Sequence, residues 1–143
     1  MRTSPHEAIR EFNRFYTSII GLLDNHILDS RFSLAEARTL FEIAHNATCT
    51  ASDLIASLKM DKGQLSRILD SFKKKGLVVR RKSKEDGRSS HLSLTARGEQ
   101  EFSKLNKTSN EQIKSLIKNL SIEDQNNLLF HMDEIRKTLS ATL

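Results

Sequence analysis

Apolar residues recur along most of this chain at steps of three and four, the period of an amphipathic α-helix. The first such segment runs from Pro5 to about Asp29, with Ser4 as a candidate N-cap. Further helices are predicted at about 33–44, 51–58 and 62–75. Helical periodicity returns at Ala96, and another helix begins after Ser121. The sequence therefore predicts a mainly helical protein.

Capping residues mark several of these helix ends. Ser33 and Glu36 form a Ser-x-x-Glu capping box, and Ser121 stands before a similar pattern. Thr50 is placed to cap the short third helix. Gly76 follows the fourth helix at a position where glycine commonly ends helices. The third and fourth helices, joined by a tight turn, fit a helix-turn-helix.

After Gly76 the period changes to two. Segments 77–82 and 90–95 are predicted strands, and the polar stretch between them contains the turn signal Asp86-Gly87. A small hairpin thus follows the helix-turn-helix. The predicted fold class is mainly α with a small β-hairpin wing, a winged helix-turn-helix flanked by N- and C-terminal helices. The corresponding domains are 33–98 for DNA binding and 1–32 with 99–143 for dimerisation.

The apolar stripes predict which helix faces are buried. In the fourth helix Leu65, Ile68, Leu69 and Phe72 lie within about 100° of arc and point inward. The second helix carries the stripe Leu34, Ala37, Leu40, Phe41 and Ala44. The first helix has a wide apolar face, which must be covered by the core or by a second copy of the chain.

Length and composition exclude several classes of protein. With 143 residues the chain is long enough to bury a core without disulfides or a metal. Its one cysteine, Cys49, favours a reducing, cytoplasmic location. There is no apolar run long enough to span a membrane and no apolar signal core at the N-terminus. The five glycines are dispersed, which disfavours a phosphate-cradling loop.

Positive charge is concentrated in one part of the chain. The net charge is +5, but residues 59–88 contain eleven Lys and Arg and four acidic residues, a net +7. The remainder carries −2. A local excess of this kind is typical of a phosphate-binding surface, although a solvated lysine-rich face would give the same pattern.

The fourth helix has a polar face suited to a DNA major groove, where the N-terminal residues of a recognition helix contact base edges. Gln64 can pair with adenine and Arg67 can bind guanine or phosphate with two nitrogens. Asp70 is one turn beyond Arg67 and is placed to pair with it. The predicted DNA-binding residues of this helix are Lys62, Gly63, Gln64, Ser66, Arg67 and Lys74.

The hairpin supplies a second predicted contact. Arg80, Arg81 and Lys82 lead into it, and Lys84 and Arg88 lie near its tip, where an arginine can enter a minor groove. Phosphate would repel Asp86, so Asp86 and Gly87 are predicted to hold the turn or to orient Arg88. A plain solvated turn is the alternative for Asp86.

The sequence resembles the MarR family of bacterial transcription regulators. The wing has an Asp-x-Arg signature at Asp86 and Arg88, and residues 92–98 resemble the family's Leu-Thr-x-x-Gly close. Residues 66–80 are similar to its Ser/Thr-Arg…Gly-Leu-Val-x-Arg run. The resemblance implies a homodimer with interlocked terminal helices, two wings and two recognition helices on one double-stranded DNA operator. It also implies a crevice for a small-molecule effector.

A closer resemblance involves the MarR-like half of proteins that continue into a GNAT acetyltransferase. It is carried by residues 12–17, 33–38 and 60–69. No acetyl-CoA loop is present, so no enzyme activity is expected of these residues. The chain is either a stand-alone relative or part of a fusion, which leaves a regulatory module of an acetyltransferase as the alternative function. A peripheral membrane role ranks third, because the apolar face of the fourth helix is needed for the core.

Other chemistry has weaker support. Cys49 precedes the third helix, where its thiol could be activated, but an inert buried cysteine is favoured. The histidines have no zinc-like spacing, and no catalytic triad is grouped in the sequence, so neither metal nor cofactor is predicted. Five aromatic residues could line the implied effector crevice, but ordinary core packing is the favoured interpretation: Phe12, Phe15, Tyr16, Phe32 and Phe41.

Overall fold

The computed structural model of the chain describes residues 3–27, 31–82 and 90–143. Six helices and one hairpin follow one another in these residues: α1 (Pro5–Ile27), α2 (Leu34–His45), α3 (Ala51–Leu58), α4 (Lys62–Lys74), β1 (Val78–Lys82), β2 (Ser90–Leu94), α5 (Ala96–Ile117) and α6 (Ile122–Ser140). The predicted fold class, mainly α with a small hairpin, is confirmed.

Side-chain caps explain where the helices begin. The backbone N–H of the residue three positions after each cap donates to the cap's side-chain oxygen, which satisfies an otherwise unpaired donor. The boxes at Ser33 and Thr50 are reciprocal, because Glu36 and Asp53 accept from the cap backbone in return. The predicted caps are confirmed at four helices by bonds from Glu7, Glu36, Asp53 and Asp124 to Ser4, Ser33, Thr50 and Ser121, respectively.

The end of α4 sets the direction of the hairpin. The helix ends at Lys74 with Lys75 as its C-cap, one residue earlier than predicted. Gly76 has φ +69°, a left-handed conformation that costs glycine little. The backbone N–H of Leu77 then donates to the carbonyl of Phe72 over 2.9 Å, and the chain turns directly into β1.

The hairpin is antiparallel, with Val78 opposite Leu94 and Lys82 opposite Ser90. Its inner face carries Val78 and Leu92, both buried in the core. Its predicted tip, residues 83–89, lies outside the described residues.

One hydrophobic core joins α2, α3, α4 and the hairpin. Its fully buried members include Leu40, Leu54, Leu65 and Phe72. Phe32, just before α2, packs edge-on against Phe72 with 6.2 Å between ring centroids. This core holds α4 by its predicted inner face and leaves the opposite face in solvent.

The predicted stripe of α2 is partly wrong. Leu34 and Phe41 are 37% and 46% exposed, whereas Thr39 and Ile43 are buried. Thr39 escapes the usual cost of burying a hydroxyl because its Oγ1 donates to the carbonyl oxygen of Ala35 over 2.7 Å. Helix α2 therefore keeps Leu40 of the predicted stripe inward, but Thr39 and Ile43 share its buried face in place of Leu34 and Phe41.

The prediction that five aromatic residues are ordinary core residues is also wrong for most of them. Phe32 is buried, but Phe12, Phe15 and Tyr16 are exposed by 44%, 60% and 38%. Among the described residues, this apolar face of α1 is thus largely exposed. Phe12 and Tyr16 stack on each other along this face, with 5.7 Å between nearly parallel rings.

The chain divides into two compact units, Met1–Ser109 and Asn110–Leu143. The second unit contains α6, which buries none of its residues. Its exposed apolar side chains include Leu128, Leu129, Phe130, Met132, Ile135 and Leu139. In the described parts of the chain, no helix is both long and apolar enough to cross a lipid bilayer.

Candidate nucleic-acid interface

The site is built on α4, whose two faces have opposite character. Leu65, Ile68, Leu69 and Phe72 are 1%, 9%, 7% and 0% exposed, as predicted. The exposed face carries the predicted contact residues and the acid between them: Lys62, Gly63, Gln64, Ser66, Arg67, Asp70 and Lys74. Hydrogen-bonding groups thus project from a helix whose other side is fixed in the core.

The N-terminus of α4 is fixed by Asp61. Its Oδ2 accepts from the backbone N–H of Gln64 over 3.1 Å. A Cβ added at Gly63 would lie 3.1 Å from the same oxygen, closer than most real Cβ contacts. Gly63 therefore leaves room for the cap and keeps the first turn thin, which suits close approach of a ligand backbone.

A shallow surface depression is lined by Lys75, the C-cap of α4, and by four polar residues of the helix: Arg67, Asp70, Ser71 and Lys74. Among the described residues, Arg67 and Asp70 form no ion pair within 4 Å. The predicted pairing is therefore not formed, and the Arg67 guanidinium is not neutralised by that carboxylate. Lys75 lies with its Nζ 5.7 Å from the centroid of the Phe32 ring, a cation–π contact at the end of the helix.

The hairpin places its basic residues on two faces. Arg80 lies opposite buried Leu92, on the inner-face register, whereas Arg81 lies opposite His91 on the other face. The side chains of Arg80, Arg81 and Lys82 are all exposed. The remaining wing residues of the predicted site lie outside the described residues, so their roles stay predictions: Lys84, Asp86, Gly87 and Arg88.

His91, the cross-strand partner of Arg81, was not in the predicted site. Their pairing depends on the hairpin register, and the period of two in the sequence was the signal that could have placed both on one face. Cross-strand neighbours of this kind lie only about 5 Å apart at Cβ, so Arg81 and His91 lie side by side on one face of the hairpin.

Cys49 is buried and its thiol does not reach the surface, in agreement with the inert buried cysteine that the sequence favours. The residue is 1% exposed, and its Sγ donates weakly to the carbonyl of Thr50 over 3.7 Å. Burial, with smaller contributions from Asp53 and Glu42, raises the pKa of the thiol to about 11. Any activating effect of the α3 N-terminus is outweighed, and at neutral pH the sulfur is a protonated, apolar core atom.

The described residues contain no group of three or more metal-ligating side chains. The exposed polar helix α4 and the basic strand β1 are attached to the same hydrophobic core.

Comparison with known proteins gives a concordant picture. A model of the MarR family matches residues 32–89. The HTH-type transcriptional regulator BilQ of Clostridium symbiosum is 27% identical over 95 residues, which span 66% of this chain and 66% of that regulator. The match thus covers just under two thirds of the relative's length.

Solved structures share the fold across nearly the whole chain. Apo MarR from E. coli has a TM-score of 0.75 at 23% identity, covering 94% of this chain and 98% of MarR. FabT of Streptococcus pneumoniae, solved in complex with DNA, has a TM-score of 0.81 at 21% identity, covering 94% of this chain and 99% of FabT.

The matched segment begins at Phe32 and contains α2, the helix-turn-helix and β1, so it includes most of the core residues that hold α4. Residues 32–89 are therefore similar to the MarR family of transcriptional regulators, and the chain shares the fold of MarR and FabT.

Proposed function

We propose that this protein is a sequence-specific regulator of transcription that binds double-stranded DNA as a homodimer. The observation that carries the proposal is the exposed polar face of α4, with Gln64 and Arg67 in its first two turns, opposite a fully packed inner face. This face lies inside the net +7 segment of the chain. A helix so anchored fits the major groove without loss of core packing.

Homodimerisation is supported by the apolar faces that the chain leaves in solvent. On α1 these are Ile9, Phe12, Phe15 and Tyr16, and on α6 they include Leu129 and Leu139, which are 65% and 55% exposed. Exposed apolar side chains grouped along helix faces are typical of interaction surfaces. A two-fold dimer would place two copies of α4 on a pseudo-palindromic operator, with half-sites about one helical turn of DNA apart.

The basic wing supports a second contact beside the major groove. Arg81 and His91 project from the outer face of the hairpin, and Arg80 and Lys82 are also exposed. In the proposal these residues, with Lys84 and Arg88, bind phosphates or the adjacent minor groove. Control by a small-molecule effector and a cytoplasmic location are further parts of the proposal, resting on the family resemblance.

Fluorescence anisotropy with genomic fragments selected by the purified protein tests DNA binding. We expect the selected duplex to bind more tightly than a scrambled duplex, with affinity falling steeply as salt rises because bound cations are released from DNA. Arg67→Ala should cost about 1–3 kcal/mol and relax base preference at one position. Lys118→Ala, a charge change in the second unit, should leave base preference unchanged.

Equal affinity for selected and scrambled duplexes at every salt concentration would refute sequence-specific binding. A loss of binding in Arg67→Ala accompanied by a lower midpoint of thermal unfolding would also count against a direct base contact. Arg67 is exposed, so its truncation should leave the unfolding midpoint unchanged.

A further inference from the structure

Lys59 occupies a backbone conformation that favours glycine. It is the C-cap of α3 and has φ 51° and ψ 40°, in the left-handed region. A side chain in this region crowds the neighbouring carbonyl, and proteins commonly place glycine or asparagine at such a helix end. The tight turn of the helix-turn-helix therefore contains a lysine where the backbone alone would favour glycine.

Packing on both sides fixes the position of this lysine. Leu58 before it is buried, and Met60 after it packs partly buried against the core. Asp61 then caps α4. The Lys59 backbone is held between two anchored residues, three residues before the first turn of α4.

The side chain itself is free to reach outward. Lys59 is exposed, and in the described parts of the chain no carboxylate lies within 4 Å of its ammonium. Its charge therefore does not stabilise the fold through an ion pair within these residues.

We infer that Lys59 binds a DNA backbone phosphate and positions the N-terminus of α4 in the groove. In a docked helix-turn-helix the first helix crosses the sugar-phosphate backbone and the second enters the major groove, so the turn between them lies at the edge of the groove. Phosphate contacts there fix register without reading sequence. Lys59 and Lys62 lie on opposite sides of the Asp61 cap in sequence, so the same turn presents two ammonium groups. The inference rests on the proposed function.

The variant Lys59→Gly tests this inference, because its thermal stability and its affinity for DNA should change in opposite directions. Lys59→Gly relieves the left-handed backbone, and we expect its thermal unfolding midpoint to rise by about 2–4 °C. The same variant should bind the selected duplex about three- to tenfold more weakly near 0.1 M salt. Because each of the two protomers loses one phosphate contact, the slope of log affinity against log salt should become shallower by about two.

Two companion variants separate charge from backbone. Lys59→Arg keeps the positive charge and should keep the wild-type salt slope. Lys118→Gln removes one positive charge from the second unit and should leave the slope unchanged, so it controls for net charge.

The outcomes distinguish this inference from the proposed function. If wild-type protein binds selected DNA, Arg67→Ala is weakened and Lys59→Gly keeps the wild-type slope, the phosphate contact is wrong while DNA binding stands. If wild-type protein shows no preference for the selected duplex, the proposed function fails first. A lower unfolding midpoint in Lys59→Gly would overturn the backbone argument.

Discussion

At the scale of single residues, the structure separates side chains that fold the protein from those offered to a partner. Gln64 and Arg67 are exposed, whereas Leu65 and Ile68 between and beside them are buried. The sequence predicted this division because a fixed 100° step per residue determines it. Contacts between exposed side chains are not fixed by periodicity, and the predicted Arg67–Asp70 pair is not formed.

Cys49 gives a residue-scale prediction. Because the thiol is buried with its pKa raised to about 11, native protein at about pH 8 should react with a thiol reagent only as fast as it unfolds. Protein unfolded in urea should react at once. The measurement is the release of the coloured thiolate from Ellman's reagent, and immediate stoichiometric release from native protein would contradict the burial of Cys49.

The ionisation of Cys49 makes the stability of the fold depend on pH. The pKa of Cys49 is higher in the folded chain than the ordinary value of 9.0. The contribution of the neutral thiol to the free energy of unfolding is therefore complete below about pH 9 and is lost as pH rises towards 11. Comparing urea unfolding of wild type and Cys49→Ala across that range isolates it. The stability difference between the two proteins should shift against wild type as pH increases.

At the scale of elements, a junction of three backbone segments connects the wing to α5. Thr95 donates its backbone N–H to the carbonyl of Leu77 over 2.9 Å, and its Oγ1 donates to the carbonyl of Gly76. The same Oγ1 accepts from the N–H of Gly98 over 3.0 Å, so Thr95 also caps α5. These bonds give a physical reason for the Leu-Thr-x-x-Gly pattern at residues 94–98.

Gly98 should tolerate no side chain at this junction. An added Cβ would lie 2.1 Å from the carbonyl oxygen of Leu77, which is backbone and cannot rotate away. Gly98→Ala is expected to destabilise the fold by about 3 kcal/mol, measured by urea unfolding followed by circular dichroism. Gly21→Ala in α1 is the matched control, because its Cβ would meet nothing within 4 Å and should be neutral or slightly stabilising. Equal stability of the two variants would refute the close approach.

Element boundaries were more predictable from the sequence than buried faces. The caps at Ser33 and Thr50 fix helix starts through local hydrogen bonds, which depend only on residues three apart. The inward face of α2 depends instead on its neighbours in space. Burial of Thr39 became possible through its bond to Ala35, which no hydrophobic period reveals.

At the scale of the whole molecule, charge and apolar surface are segregated along the chain. Residues 59–88 carry the positive excess, and the remainder is slightly acidic. The large exposed apolar side chains are concentrated instead on α1, α5 and α6. The sequence predicted that the α1 face must be covered, but it could not decide between core and partner for Phe12 and Phe15, since both uses require the same period.

Because exposed apolar side chains are concentrated on α1 and the C-terminal helices, we predict that Phe15 belongs to a contact between two copies of the chain. Phe15 is 60% exposed, so Phe15→Glu removes little packing within a protomer and places a charge on the proposed contact. We expect sedimentation velocity to show a dimer for wild type and mainly monomer for the variant, with operator binding weakened at least tenfold because two half-sites no longer act together.

Thr17→Glu carries the same charge change on the other side of α1 and should remain dimeric. Phe15→Leu should weaken the dimer less and in the same direction, which separates dissociation from unfolding. A Phe15→Glu protein that stays dimeric and binds the operator normally would exclude this face from the interface.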